Sequence, residues 1–493
     1  MTPDTLHSNL APIQRERLFL ASCLGLIATS MSFAVMADIM NPLKETFVLT
    51  NLQVGYISGA QLWGFAISIV IFGPFVDIVG MRPLLRLSLI AHIVGPLLMV
   101  FATGFWSLLG GALVISIANG LIEATCNPLI ATLYPDQKTK KLNHFHVWFP
   151  GGIVIGGVLG FLFTKYGIGT WHWKLAFVMV PAIAYGLLFT GQRFPLTERV
   201  QSGVSTREMF RATLTRPLFL VLFFCMMLTA SVELGPGKWT PAIFAAVGIP
   251  GILLLAWING LMAIMRQFAG PVVHRLSATG VLTVCAVVSG VGLWWLSYAE
   301  TMGVAFAAGA VFAIGTSYFW PTMLGVAAER IPKGGALALA LLGGIGALTA
   351  GAITTPIMGR IADDFGHERL NPVETKQLLI EAVEILPDLA AQAEREAGAE
   401  IQAAAEEAQG VLTAASVAGG QLPPIATATA LRSVARFDSN ADFTSRASAL
   451  LAPADNHGGR ISFRYVSSLC ILLTIIFGIL YMRDRKRSTS RTE

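Results

Sequence analysis

Few side chains in this sequence are able to do chemistry away from water, and their placement is unusual. The carboxyls of Asp38, Glu123 and Glu233, the imidazole of His146, the amides of Asn127, Asn259 and Gln267 and the guanidinium of Arg266 lie inside, or at the edge of, stretches that are otherwise apolar. A charge in hydrocarbon is costly, so such groups are protonated, paired or exposed to an aqueous cavity, and a carboxyl whose access to water changes can exchange a proton. Glu123 is the strongest candidate, with apolar neighbours on both sides and the Asn127-Pro128 break one turn on. Pro128 has no N–H and clashes with the preceding turn, which frees backbone polar groups to line a cavity. The Asn127 amide beside them offers a donor and an acceptor to a hydroxylated solute, or simply satisfies the kink. His146, with Phe149 and Pro150 one turn on, suits proton exchange or a hydroxyl contact. His144 is two residues away and points elsewhere, so the two form a poor metal pair. Asp38 either exchanges a proton as well or only caps the turn before Asn41-Pro42. Trp239, Tyr318 and Trp320 present flat apolar faces with a polar edge, a surface on which a sugar ring packs, although tryptophan is also an ordinary interfacial anchor.

The elements that must hold these groups are membrane helices. Of the 493 residues 54% are hydrophobic and only 13% charged, with a mean hydropathy of +0.65, outside the range of a soluble globular chain. Apolar runs long enough to cross the hydrocarbon as helices fall near 17–38, 51–73, 83–103, 105–132, 145–165, 172–191, 214–234, 247–269, 278–298, 302–327, 334–357 and 464–482. Only helices satisfy their own backbone groups in lipid, so the 49 glycines and 24 prolines read as close-contact and kink positions. The first run is longer than a signal-peptide core and reads as a retained helix. Cys23, Cys126, Cys225, Cys285 and Cys470 show no pair spacing, so no metal or disulfide framework is indicated. The absence of a nucleotide loop, HExxH or GxSxG argues against an enzyme, and no cofactor is implied.

Basic residues fix the orientation. With both termini inside, the inner loops carry Arg15, Arg17, Arg82, Arg86, Lys138, Lys140, Lys141, Arg193, Arg199, Arg207, Arg211, Arg216, Arg266, Arg275, Arg330 and Lys333, and 483–493 forms a basic cytoplasmic tail. The short outer loops hold only Lys44, Lys165, Lys174 and Lys238. The net charge of +5 is thereby explained without nucleic acid. The longest basic connection, 192–213, divides an N-terminal half (1–191) from a C-terminal half (214–482), as expected for two pseudo-symmetric six-helix halves around a central site. One long insertion, 365–460, falls outside, between helices eleven and twelve. Its part 373–415, rich in Ala and Glu, predicts one or two amphipathic helices interrupted near Pro387, and 416–460 reads as poorly ordered. The insertion is expected to be a stabilising decoration, with a partner site or a lid over the outer vestibule as alternatives.

The segment FGPFVDIVGMRP at 72–83 sets Asp77 between glycines with Arg82 after them, so that Asp77 can cap a helix end and pair with Arg82. AGPVVHRL at 269–276 repeats Gly-Pro, with His274 and Arg275 in place of the acid. This pattern resembles the signature loop and its degenerate repeat in the major facilitator superfamily. GLIEATCNPLIATLYP at 120–135 and KLNHFHVWFPGG at 141–152 resemble helices four and five of the fucose:proton symporter family. That resemblance excludes 365–460. It implies that Glu123 is the coupling residue or a sugar acceptor, that Asp38 matches a membrane-embedded carboxylate, and that His146 matches a position where some members carry histidine. Glu233 and Trp239, in SVELGPGKWTP at 231–241, resemble an acid and an aromatic near this helix end in related transporters. Asp77, Arg82, Arg266 and Arg275 are the candidates for closing the inner gate. Asn127, His146, Glu233, Trp239, Asn259, Gln267, Tyr318 and Trp320 are the candidates for contacting solute.

The expectation is an all-α membrane protein of twelve helices, monomeric, multi-pass in a bacterial inner membrane. It would be a secondary transporter that couples uptake of a monosaccharide or similar polar solute to protons by alternating access. A uniporter, a sodium-coupled or organic-anion carrier, and a transceptor on the same fold are the alternatives.

Overall fold

The computed structural model describes residues 13–47, 51–245, 251–393, 395–435 and 441–489. Among the described residues eleven helices are long and apolar enough to cross a membrane, and a shorter apolar one makes the twelfth. In chain order they begin with α1 (Arg15–Thr46), α2 (Asn51–Val79), α3 (Met81–Val100), α4 (Phe105–Leu133), α5 (Pro135–Lys165) and α6 (Trp171–Phe189). A linker with two short helices, Glu198–Gln201 and Thr206–Leu214, leads to α7 (Pro217–Ala245), the 17-residue α8 (Gly251–Gln267), α9 (Ala269–Leu296), α10 (Met302–Arg330) and α11 (Pro332–Gly366). After the insertion, the last crossing belongs to a single 49-residue helix, Ala441–Thr489.

Several prolines lie inside these helices without ending them, among them Pro42, Pro74, Pro96, Pro128 and Pro181. The first helix passes through Pro42 to Thr46, so Asp38 lies within a helix and does not cap a turn before Pro42. In α9 the break predicted before 278 is sharp: Ser277 has φ 61°, in the left-handed region, and its hydroxyl accepts a hydrogen bond from the Gly280 N–H.

The two halves meet along α2 and α11, α5 and α8, and α5 and α10. The small-residue run of α11 permits the first contact. A Cβ on Gly73 would lie 2.1 Å from the Ala340 Cβ, and one on Gly344 would lie 2.3 Å from a Val70 methyl, so the α2 and α11 backbones can come this close only because both positions are glycine.

The insertion is helical where the sequence suggested disorder. It comprises α12 (Pro372–Gln392), α13 (Arg395–Val417) and α14 (Pro424–Val434), and the final helix α15 begins at Ala441, so the described part of 416–460 is mostly helix. Nor does α12 break at Pro387, which lies within it; the chain turns one residue after Gln392. Asn371 caps α12 by accepting hydrogen bonds from the Val373 and Glu374 N–H groups, with Pro372 at the first helical position. Leu378, Leu379, Leu386, Ile401, Ala408, Leu431, Val434 and Leu451 give the bundle a core of its own, and Arg446–Glu381 and Arg432–Asp455 ion pairs tie it to α15. At 1.5 Å per residue α15 is about 74 Å long, more than twice the hydrocarbon thickness. Its two ends therefore lie on opposite sides of the membrane, the bundle at one and the basic tail at the other.

Candidate functional site

Two proline residues create the centre of the molecule. In a helix the N–H of residue i bonds to the carbonyl of i−4, so Pro150 in α5 leaves the His146 carbonyl unpaired and Pro321 in α10 leaves that of Ser317 unpaired. Arg266 of α8 satisfies both: its Nη1 donates to His146 O at 2.9 Å and its Nε to Ser317 O at 2.5 Å. Its Nη2 donates to Glu233 Oε1 of α7 at 2.8 Å. A single guanidinium, 1% exposed, thus joins a carbonyl of the N-terminal half to a carbonyl and a carboxylate of the C-terminal half. The rigid fork of arginine suits this task better than a lysine point charge.

Beside it lies a second carboxyl. Glu123 of α4 is 3% exposed, and its Oε1 accepts the indole N–H of Trp320 from α10 at 3.1 Å. Asn127 donates its amide N–H to the Glu123 carbonyl at 2.8 Å, so its Oδ1 faces His146 and accepts from Nε2 at 3.0 Å. That Nε2 is also 3.7 Å from Glu123 Oε1. Trp320 fits here because α11 has glycine against its ring: a Cβ on Gly346 would stand 3.0 Å from it. Two buried oxygens, Glu123 Oε2 and Glu233 Oε2, have no hydrogen-bond partner. Arg266 and Glu233 neutralise each other, whereas Glu123 has no cation bonded to it, and a proton or a donating solute would remove the cost of its burial.

Six of the residues singled out from the sequence come together here: Glu123, Asn127, His146, Glu233, Arg266 and Trp320. Tyr318 lies next to them, its hydroxyl donating to Met265 O at 2.6 Å. Arg266 is the centrepiece of this cluster, where the sequence had suggested a gate. Four other candidates lie apart. Asp38 pairs with Lys174 of α6 against Gly160 of α5, and Lys174 also donates to Thr164 Oγ1 at 2.7 Å. Trp239 commits its N–H to Thr355 O at 3.2 Å, Asn259 donates to Leu255 O in its own helix at 2.9 Å, and Gln267 is exposed at the end of α8. Lys174 was missed as a partner of Asp38 because the pair is formed across helices, though its position at the start of an apolar run was visible.

The basic face of the molecule is shut. Asp77 does not pair with Arg82. Its carboxylate accepts from Arg199 Nε at 2.9 Å, from Thr197 Oγ1 at 2.5 Å and from the Ala336 N–H at 3.3 Å, near the start of α11 in the other half. A carboxylate at a helix N-terminus is favoured by the unpaired N–H groups there. Arg82 instead donates to Gln192 O at 2.7 Å, and Arg275 is exposed near the Ser277 break. A second set of bonds joins α5 to α10: Thr139 Oγ1 donates to Glu329 Oε1 at 2.6 Å and the Asn143 amide to Thr322 Oγ1 at 3.1 Å.

Two six-helix halves, closed at one face and sharing a buried polar cluster at their interface, define a secondary transporter working by alternating access. Residues 18–350 match the Major Facilitator Superfamily, and the chain belongs to it. It is therefore a transporter and not an enzyme. The D-xylose transporter of Levilactobacillus brevis is 31% identical over 150 residues, 30% of this chain and 32% of that relative, so the match spans about a third of the relative's length. The fucose:proton symporter of E. coli is similar in structure, with a TM-score of 0.58 and 16% identity over 70% of this chain and 92% of that one. The human organic anion transporter MFSD10 has a TM-score of 0.60 and 13% identity over 95% of this chain and all of its own.

Proposed function

We propose that the chain couples uptake of a monosaccharide or similar polyhydroxylated solute to protons, with Glu123 as the coupling carboxyl. The observation that carries this reading is the pair of unpartnered buried oxygens, Glu123 Oε2 in one half and Glu233 Oε2 in the other. Hydroxyl donors of a solute between the halves would satisfy both, and a proton on Glu123 would neutralise the one carboxyl that Arg266 does not pair. Asn127 bonds the Glu123 backbone carbonyl and His146, His146 Nε2 stands 3.7 Å from the Glu123 carboxyl, and Trp320 offers that carboxyl a donor and a flat face. The sugar transporters among the similar proteins support the class of cargo. The charge distribution supports a multi-pass protein with both termini in the cytoplasm, here of a bacterial inner membrane, with the inserted bundle outside. One chain supplies every group of the cluster, which supports a monomer as the working unit.

An organic anion is the second reading, favoured by the buried Arg266 and by the likeness to the human anion transporter. Against it, three of the five Arg266 N–H groups already donate to protein acceptors and Glu233 already balances the charge, so an anion would have to compete with Glu233 for the guanidinium. The experiment is uptake of labelled sugars, polyols and organic acids into proteoliposomes, with and without an inward proton gradient, for the parent and Glu123→Gln. Gradient-driven sugar accumulation that the substitution abolishes while downhill exchange survives is expected. Accumulation of an acid, or indifference to both gradient and substitution, would overturn the proposal.

A further inference from the structure

A cavity of about 210 Å³ opens on the basic face between α3 and α6, away from the central cluster. Its polar rim is Arg82, Arg86, Thr190 and Gly191, and its walls are Leu85, Leu89, Phe189 and Phe194. No acidic residue lines it. Arg82 is partly committed to the Gln192 carbonyl, whereas Arg86, one turn further along α3, forms no hydrogen bond or ion pair within the described residues. The same two helices expose a continuous apolar surface deeper in the membrane: Leu87, Ile90, Val94 and Leu98 on α3, and Val180, Ile183 and Leu187 on α6. A soluble anion would use the arginines but gain nothing from those walls.

We infer that this cavity binds the headgroup of an anionic phospholipid, with Arg82 and Arg86 holding its phosphate and an acyl chain lying along the exposed faces of α3 and α6. Arginine suits a phosphate diester because its planar fork bonds two oxygens at once. Basic pockets between membrane helices at the headgroup level are where such lipids are recognised. The site does not depend on the cargo or on the coupling residue, so it stands or falls separately from the transport proposal.

The test counts lipids retained by the purified full-length protein in native mass spectrometry, after exchange into mixed micelles containing phosphatidylglycerol and phosphatidylcholine in equal amounts. The parent should retain phosphatidylglycerol selectively. Arg86→Ala should lower that retention about fivefold, the weight of one basic residue at an anionic surface. Arg207→Ala, which removes the same charge from an exposed linker site on this face, should leave retention unchanged and so controls for net charge. Arg86 has no hydrogen-bond or ion-pair partner among the described residues, so its substitution should not disturb folding, and Arg86→Lys should recover part of the loss. Equal retention of the two lipids, or Arg86→Ala behaving as the parent, would overturn the inference. Displacement of the lipid by millimolar sn-glycerol 3-phosphate would also overturn it, by showing that the cavity takes the phosphate alone.

Discussion

Replacing Arg266 by methionine tests whether charge or hydrogen bonding holds the two halves together at their centre. The substitution removes three hydrogen bonds, to His146 O, Ser317 O and Glu233 Oε1, and leaves Glu233 buried without its cation. Hydrogen bonds between membrane helices average about 0.6 kcal/mol, so the three together account for roughly 2 kcal/mol. Breaking a buried ion pair from one side costs about 3–5 kcal/mol, because the remaining charge is uncompensated. If the charge dominates, Arg266→Met should destabilise by about 3–5 kcal/mol, and adding Glu233→Met should bring the loss back to roughly 2 kcal/mol. The assay is a double-mutant cycle on unfolding in detergent, followed by tryptophan fluorescence, with uptake measured in parallel. The prediction is directional, since the double variant must be more stable than the single one. If the two substitutions add, the carboxyl of Glu233 is not charged against Arg266, and the reading of a neutral pair beside a lone Glu123 carboxyl fails.

The other expectations follow from individual contacts. Trp320→Phe keeps the ring in its slot against Gly346 but removes the N–H donated to Glu123; uptake should fall about tenfold, near the value of one hydrogen bond to a charged group, while thermal unfolding moves little. Gly73→Val sets a side chain where even a Cβ would stand 2.1 Å from the Ala340 Cβ, so the basic face should fail to close and a cysteine placed at position 131 should become accessible to an impermeant maleimide; unchanged labelling would refute the α2–α11 contact as a gate. Asp77→Asn weakens the Arg199 pair and the contact with the α11 N-terminus, and should raise the same labelling rate without loss of expression. Asp38→Asn combined with Lys174→Met removes the ion pair whole; because that pair is partly exposed and separate from the central cluster, gradient-driven uptake should stay within about twofold of the parent. Its abolition would make Asp38 a coupling residue after all.

The sequence by itself determined the class of protein, because hydropathy and charge act locally. A helix must cross the hydrocarbon in about 20 apolar residues, and basic loops mark the inner face whatever the helices do next to one another. For the same reason Glu123, Asn127, His146, Glu233 and Arg266 could be recognised as costly residues in apolar runs, and Trp320 as an aromatic beside a proline, without any knowledge of their neighbours. Partner choice was not legible, since it depends on distances between helices that no single-helix pattern encodes. Asp77 found Arg199 and the start of α11 instead of Arg82 five residues away, and Asp38 found Lys174 on the neighbouring helix α6, far away in sequence. The second part of the insertion, 416–460, was misread for a related reason. Its alanine-rich segments look weak one at a time, and their order comes from a core shared among Leu378, Ile401, Leu431 and Leu451. The role of Arg266 was the least accessible. The Pro150 and Pro321 that strip two carbonyls of their partners were plain in the sequence, but only the tertiary structure brings those carbonyls to one guanidinium, where leaving either unpaired in a water-poor interior would be costly.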